Sequence, residues 1–212
     1  AFISLTKPGE LRPPSVSLLL TGGLYSILAY QGRGRAFAPL AALALLGWSF
    51  VFPGLLGASL LWRGVILAWA GLGLVKVLLP RLSLSGEVGV IGEGALALGG
   101  VVALYGVFVL GALSIPSALG LGLLALAFGI AAQERPFLGP AAYGFALIAA
   151  LVMWSEVGIL TLGGALGVLA SLTFLAYLWQ TPRLSALRSS FLYGGLGLTF
   201  ASVVWIWGMR MN

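Results

Sequence analysis

The sequence predicts an all-α polytopic membrane protein: about eight transmembrane helices, built as two tandem four-helix repeats in the same orientation. Three observations carry that expectation. Sixty per cent of the residues are hydrophobic and only 8% are charged, against roughly 25% charged in an ordinary soluble domain. The apolar runs are continuous, as from Ala95 to Leu113 and from Val157 to Leu178. Barrel strands would alternate apolar and polar residues over about ten positions, so helices are favoured. The sequence also returns on itself 102 residues later. Pro14-Ser15 recurs as Pro116-Ser117, Gln31 and Arg33 as Gln133 and Arg135, and Pro80-Arg81-Leu82-Ser83 as Pro182-Arg183-Leu184-Ser185.

Charges, prolines and turn residues divide the apolar runs into eight expected spans, near 14–31, 36–52, 54–78, 88–110, 115–132, 139–154, 157–179 and 190–208. The first lies between Pro13-Pro14 and the Gln31-Gly32-Arg33 break. The second follows Arg35 and stops at Pro53. The third runs from Gly54 to the approach to Pro80-Arg81, and the fourth follows Glu87. The fifth opens at Pro116 and closes at Gln133-Glu134-Arg135. The sixth ends at Ser155-Glu156, the seventh before Pro182-Arg183, and the eighth lies between Arg188 and Arg210. Several are shorter than the roughly 20 residues of a perpendicular span. Six or seven full spans with a re-entrant or interfacial piece is therefore a variant of the same architecture.

The recurrence serves as a ruler. It aligns Pro53-Gly54 with Ser155-Glu156, so both read as tight turns between helices. The first repeat is then 1–110 and the second 111–212. Four spans in each half point the halves the same way, which implies a pseudo-two-fold axis along the membrane normal.

The net charge of +6 is dispersed at segment ends and not gathered into a patch with interleaved aromatics, so no nucleic-acid partner is expected. Membrane lipids are the expected partner, with other membrane subunits or a second copy of the chain beside them. In the eight-span arrangement Arg33, Arg35, Lys76, Arg81, Arg135, Arg183 and Arg188 fall near one face, and Lys7, Arg12 and Arg210 near the other. The positive-inside rule then puts both termini outside, in what is most simply a prokaryotic cytoplasmic (inner) membrane. Residues 1–13 do not have the form of a secretory signal, since no short apolar core follows their basic residues.

The sequence contains no Cys, no His and no Asp. Disulfides, thiolate clusters and the usual zinc, copper and haem ligands are thereby removed, as is the usual proton shuttle at neutral pH. No phosphate-cradling glycine loop or nucleophile–base arrangement occurs. No catalytic residue, metal or cofactor is expected, and the chain does not read as an enzyme.

Ionisable groups within a span are costly and mark candidate sites. Arg63 falls about nine residues into the third expected span, roughly 14 Å deep at 1.5 Å per residue, near the midplane. Glu93 falls about six residues into the fourth, near 9 Å deep. Lys76 lies toward the same end of the third span, so a Lys76–Glu93 contact between antiparallel neighbours is expected, with Arg63 more than two turns away. Their partners in the second repeat are Ala165, Gly195 and Leu178, which confines any polar site to the first half. Gln31, Arg33, Gln133 and Arg135 are candidate headgroup contacts or helix-end caps. Gly89, Gly92, Gly94, Gly99 and Gly100 in the fourth span, and Gly158, Gly163, Gly164 and Gly167 in the seventh, read as close-packing positions. Most of the seven tryptophans read as interfacial anchors.

Two functions fit. The first is transport or permeation of a small or lipophilic solute, with a path near the interface of the two repeats. The alternative is a non-catalytic structural or assembly subunit of a larger membrane complex.

Overall fold

The computed structural model describes residues 12–31, 37–78, 86–110, 114–157, 166–173 and 188–210. All of its regular elements are helical. They are α1 (Arg12–Tyr30), α2 (Phe37–Leu55), α3 (Leu60–Gly73), which runs on as a π-helical turn over Leu74–Leu78, and α4 (Gly86–Phe108). Then follow α5 (Ile115–Ala132), a 3-10 turn at Pro136–Leu138, α6 (Gly139–Val157), α7 (166–173) and α8 (Arg188–Arg210). Among the described residues six helical segments are long and apolar enough to cross a membrane, and α1 adds a shorter apolar stretch, Pro14–Tyr30. The seventh expected span is described only over 166–173.

The chain divides into two compact units, Ala1–Ala112 and Leu113–Asn212. In the first, α3 packs most extensively on α4, and α1 on α2. The α3–α4 seam is made of small residues. Gly64, Ala68 and Gly71 on α3 face Gly92, Ala95, Gly99, Ala103 and Gly106 on α4. A Cβ built on Gly64 would lie 2.6 Å from the Gly99 carbonyl oxygen, and one on Gly71 would lie 2.5 Å from that of Gly92. One on Gly99 would lie 2.5 Å from the Gly64 carbonyl oxygen, and one on Gly106 would lie 2.7 Å from the Leu61 nitrogen. At these positions backbone meets backbone, with only the Ala68 and Ala95 methyls and, at Gly92, the Val75 side chain beside it. In lipid, where apolar burial does not itself drive helices together, such close approach supplies the dispersion contact that does. Leu46, Leu67, Leu74, Val88 and Ala95 form a buried apolar cluster beside the seam.

The α2–α3 corner differs from the expected one. Pro53-Gly54 is not the turn: both residues lie inside the last turn of α2. Pro53 removes one donor but does not end the helix so near its terminus. What ends it is Gly57, at φ +78°. The Gly57 N–H donates to the Gly54 carbonyl (3.1 Å) and the Ala58 N–H to the Pro53 carbonyl (2.9 Å). That is the paired bonding of a Schellman cap, with glycine at its left-handed position. Ser155-Glu156 is likewise not a turn, since α6 continues through both to Val157.

In the second unit α5 packs on α6, with Phe128 against Phe145 at 5.0 Å between ring centroids. Tyr143 of α6 joins the rest of the unit. Its ring meets Phe191 of α8 edge-on at 6.0 Å, lies directly over Gly194, and its hydroxyl is 3.3 Å from that of Thr173 in α7. Trp69 is not an interfacial anchor. It lies in the middle of the Leu60–Leu78 span, and its indole N–H is buried with no acceptor among the described residues.

Candidate functional site

Because α3 starts at Leu60 and not at Gly54, Arg63 lies in its first turn, only about 4.5 Å along the axis from the helix start. That is a helix-end position, in place of the expected nine residues into the span. Its backbone N–H donates to the carbonyl of the N-cap residue Ser59 at 3.1 Å. Its side chain reaches back across the corner to α2. The Nε–H donates to the Phe50 carbonyl at 2.9 Å, and the guanidinium carbon lies 4.2 Å from the centroid of the Phe50 ring. Gly54 leaves room for it, since a Cβ there would be 3.2 Å from Arg63 Cζ. A cation at the C-terminal end of α2 is favoured by the exposed carbonyl dipoles of that terminus. Arg63 thus clasps the α2–α3 corner. Beyond Phe50, its side chain has no other hydrogen-bond partner among the described residues.

Lys76 and Glu93 lie at the other end of the α3–α4 pair. Lys76 is half-buried in the π-helical turn, and Glu93 is half-buried seven residues after the start of α4. Val75 packs against Gly92, so the two ionisable residues occupy nearly the same level of adjacent antiparallel helices. Each is engaged by a neighbour. Arg63 is not part of that group. Its neighbour Gly64 faces Ala103, and ten residues of α4 separate that level from Glu93, about 15 Å. The three candidates therefore form two separate places, one at each end of the pair. A π-helical turn often marks a functional or strained stretch of helix, and periodicity gave no sign of it.

Gln31 and Gln133 each follow directly on the last residue of a helix, α1 and α5, and both are exposed. The Gln31 N–H donates to the Ile27 carbonyl at 3.0 Å, and the Gln133 N–H to that of Ile130 at 3.3 Å. Arg135 is exposed, precedes the 3-10 turn, and its backbone N–H donates to the Ala131 carbonyl at 3.0 Å. Arg33 lies outside the described residues, as do Lys7, Arg35, Arg81 and Arg183.

Sequence reasoning missed an apolar cleft in the first unit, between α2 and α4 with α3 as its floor. It has a volume of about 450 Å³ and is lined by Leu46, Phe50, Leu67, Gly94, Leu98 and Val102, among others. That volume lies in the ordinary range of small-molecule sites, about 300–1,000 Å³. The visible signal was Gly94. It shares α4 with Gly92 and Gly99 but faces open space, so it belongs to the cleft and not to the seam. No group of three or more His, Cys, Asp or Glu able to hold a metal occurs among the described residues.

The chain is an α-helical protein with the long apolar helices of an integral membrane protein. No family model matches it, and no curated protein or solved structure does either.

Proposed function

We propose that the chain is a non-enzymatic membrane protein that carries or admits a lipophilic solute, and that the solute occupies the cleft of the first unit. The observation that carries this reading is the cleft itself: apolar walls, a ligand-sized volume and a cation on the same face of α3 at one end. A solute entering it leaves no polar wall group unpaired, which is the condition for apolar ligands to bind without a desolvation penalty.

The scaffold belongs to the same proposal: two tandem four-helix repeats in an inner membrane, with both termini outside. Helix boundaries support the duplication. Phe37 and Gly139, at the starts of α2 and α6, are 102 residues apart, and so are Leu55 and Val157 at their ends. The same offset relates both ends of α4 to both ends of α8. Ser15 and Ser117, also at this offset, are each 3% exposed.

Vesicles test the function. With the purified chain reconstituted and a fluorescent lipid analogue in both leaflets, dithionite added outside should quench the inner-leaflet pool faster than in protein-free vesicles. Equal rates would refute movement of lipids, and equal efflux of small lipophilic dyes would refute the wider reading.

A second reading, a non-catalytic assembly subunit, rests on α8, where Tyr193, Phe200 and Trp207 are about 70% exposed. Co-purification of other membrane subunits in mild detergent would favour it, and a stable lone chain or homo-oligomer would count against it.

A further inference from the structure

We infer that the cleft of the first unit holds one acyl chain of a phospholipid with an anionic headgroup, and that Arg63 holds the headgroup phosphate. The inference rests on the reading of the cleft as a solute site and names the class of solute.

Three features of the cleft specify this occupant. The first is shape. From Val102 to Ile91 the cleft runs about 16 Å along α4, about half the roughly 30 Å hydrocarbon core of a bilayer. That is the length of an acyl chain in one leaflet, not of a compact solute. The second is lining. Leu43, Leu46, Phe50, Leu67, Leu98 and Val102 supply hydrocarbon, while Gly94 removes the side chain that would otherwise stand in the path.

The third is charge. Leu67 lies in the floor of the cleft, and Arg63 is one helical turn before it, on the same face of α3. Phe50 lines the cleft and also carries the Arg63 guanidinium on its ring. The cation is thus fixed at the end of the cleft nearest the α2–α3 corner. Its Nε–H is committed to the Phe50 carbonyl, which holds the plane of the group. The terminal N–H donors are the fork that pairs with phosphate oxygens. A zwitterionic lipid would fill the hydrocarbon part equally well and carries the same phosphate, but its choline cation would stand against the guanidinium, so the discriminating property is the net negative charge of the headgroup.

The test uses the purified chain in nanodiscs of equal dioleoyl-phosphatidylglycerol and dioleoyl-phosphatidylcholine. Lipids retained on release are counted by native mass spectrometry. The wild-type chain should retain phosphatidylglycerol in preference to phosphatidylcholine. Arg63→Gln, which removes the cation that favours a net-anionic headgroup over a zwitterionic one, should lower that preference about tenfold. Arg63→Lys, which keeps the charge without the fork, should fall between.

Gly94→Leu, whose side chain would enter open space, should reduce retention of both lipids. Gly129→Leu in α5, also in open space, should leave retention unchanged. An unchanged preference in Arg63→Gln, or undiminished retention in Gly94→Leu, overturns the inference. Should Arg63→Gln not fold, the lysine and leucine variants decide the matter. Selective retention without lipid movement in the vesicle assay would leave this inference standing and remove the transport reading. The reverse pattern would do the opposite.

Discussion

Replacing Gly99 and Gly94 by alanine, one at a time, should move stability in opposite directions although both lie on α4. At Gly99 the added methyl would sit 2.5 Å from the Gly64 carbonyl oxygen and 2.6 Å from the Ala68 nitrogen. Both are backbone atoms, so no side chain can rotate away. Ordinary contact begins near 3.4 Å, so α3 must withdraw by roughly 0.8–0.9 Å, a gap that forfeits a quarter to a half of each dispersion well it opens. Spread over the seam from Leu61–Gly106 to Gly71–Gly92, the loss should be about 2–3 kcal/mol, at the upper end of overpacking penalties. At Gly94 the methyl meets nothing within 4 Å. Only the helical preference of alanine over glycine acts there, which stabilises by about 0.5–1 kcal/mol. Unfolding of the two variants in mixed micelles by titration with a denaturing detergent, followed by tryptophan fluorescence, should separate them by about 3 kcal/mol. Equal midpoints would refute the account of the seam.

Four further outcomes follow from the same contacts. Gly57→Val places a β-branched residue at φ +78° and should cost about 1–2 kcal/mol in the same titration. Arg63→Gln removes the bond to the Phe50 carbonyl and the contact with its ring, and should destabilise by about 1.5–3 kcal/mol; a smaller loss than Tyr143→Phe would contradict the clasp. Tyr143→Phe loses one neutral hydroxyl contact, to Thr173, for about 0.5–1.5 kcal/mol. Gly194→Ala meets first the outer atoms of the Tyr143 ring, a side chain that can move, so its penalty should be smaller than that of Gly99→Ala and should fall further in a Tyr143→Leu background.

Most helix positions were legible because lipid makes the sequence speak in blocks. An apolar run can only be helix in a bilayer, and its ends are marked by residues that need water or a turn. The fifth expected span, 115–132, coincides with α5 at both ends, since Pro116 and Gln133-Glu134-Arg135 bracket it. The α2–α3 corner was misplaced because proline is a strong punctuation mark in sequence and a weak one in the last turn of a helix. The signal that mattered was Gly57, three residues past Gly54 and easily lost among so many glycines. That error of six residues at the start of α3 carried Arg63 from a helix end to an expected midplane. The α3–α4 register was written in Gly64 and Gly71 against Gly92, Gly99 and Gly106, spaced by seven. Reading Gly89, Gly94 and Gly100 together with Gly92 and Gly99 blurred that stripe. The level shared by Lys76 and Glu93 followed from simple rise per residue; the π-helical turn and the cleft did not, since both depend on how three helices meet.

Helices in packed cores usually slip past one another by letting side chains hop between rotamers. Along the α3–α4 seam there are almost no rotamers to change: glycine and alanine have none, and a shift along the axis would drive alanine methyls into facing carbonyls. The pair is therefore a single stiff beam, and its amides should be the last of the first unit to exchange with deuterium. Whatever gives way when the first unit is loaded must be α1 and α2, with α2 tethered to the beam at the Gly57–Arg63 corner.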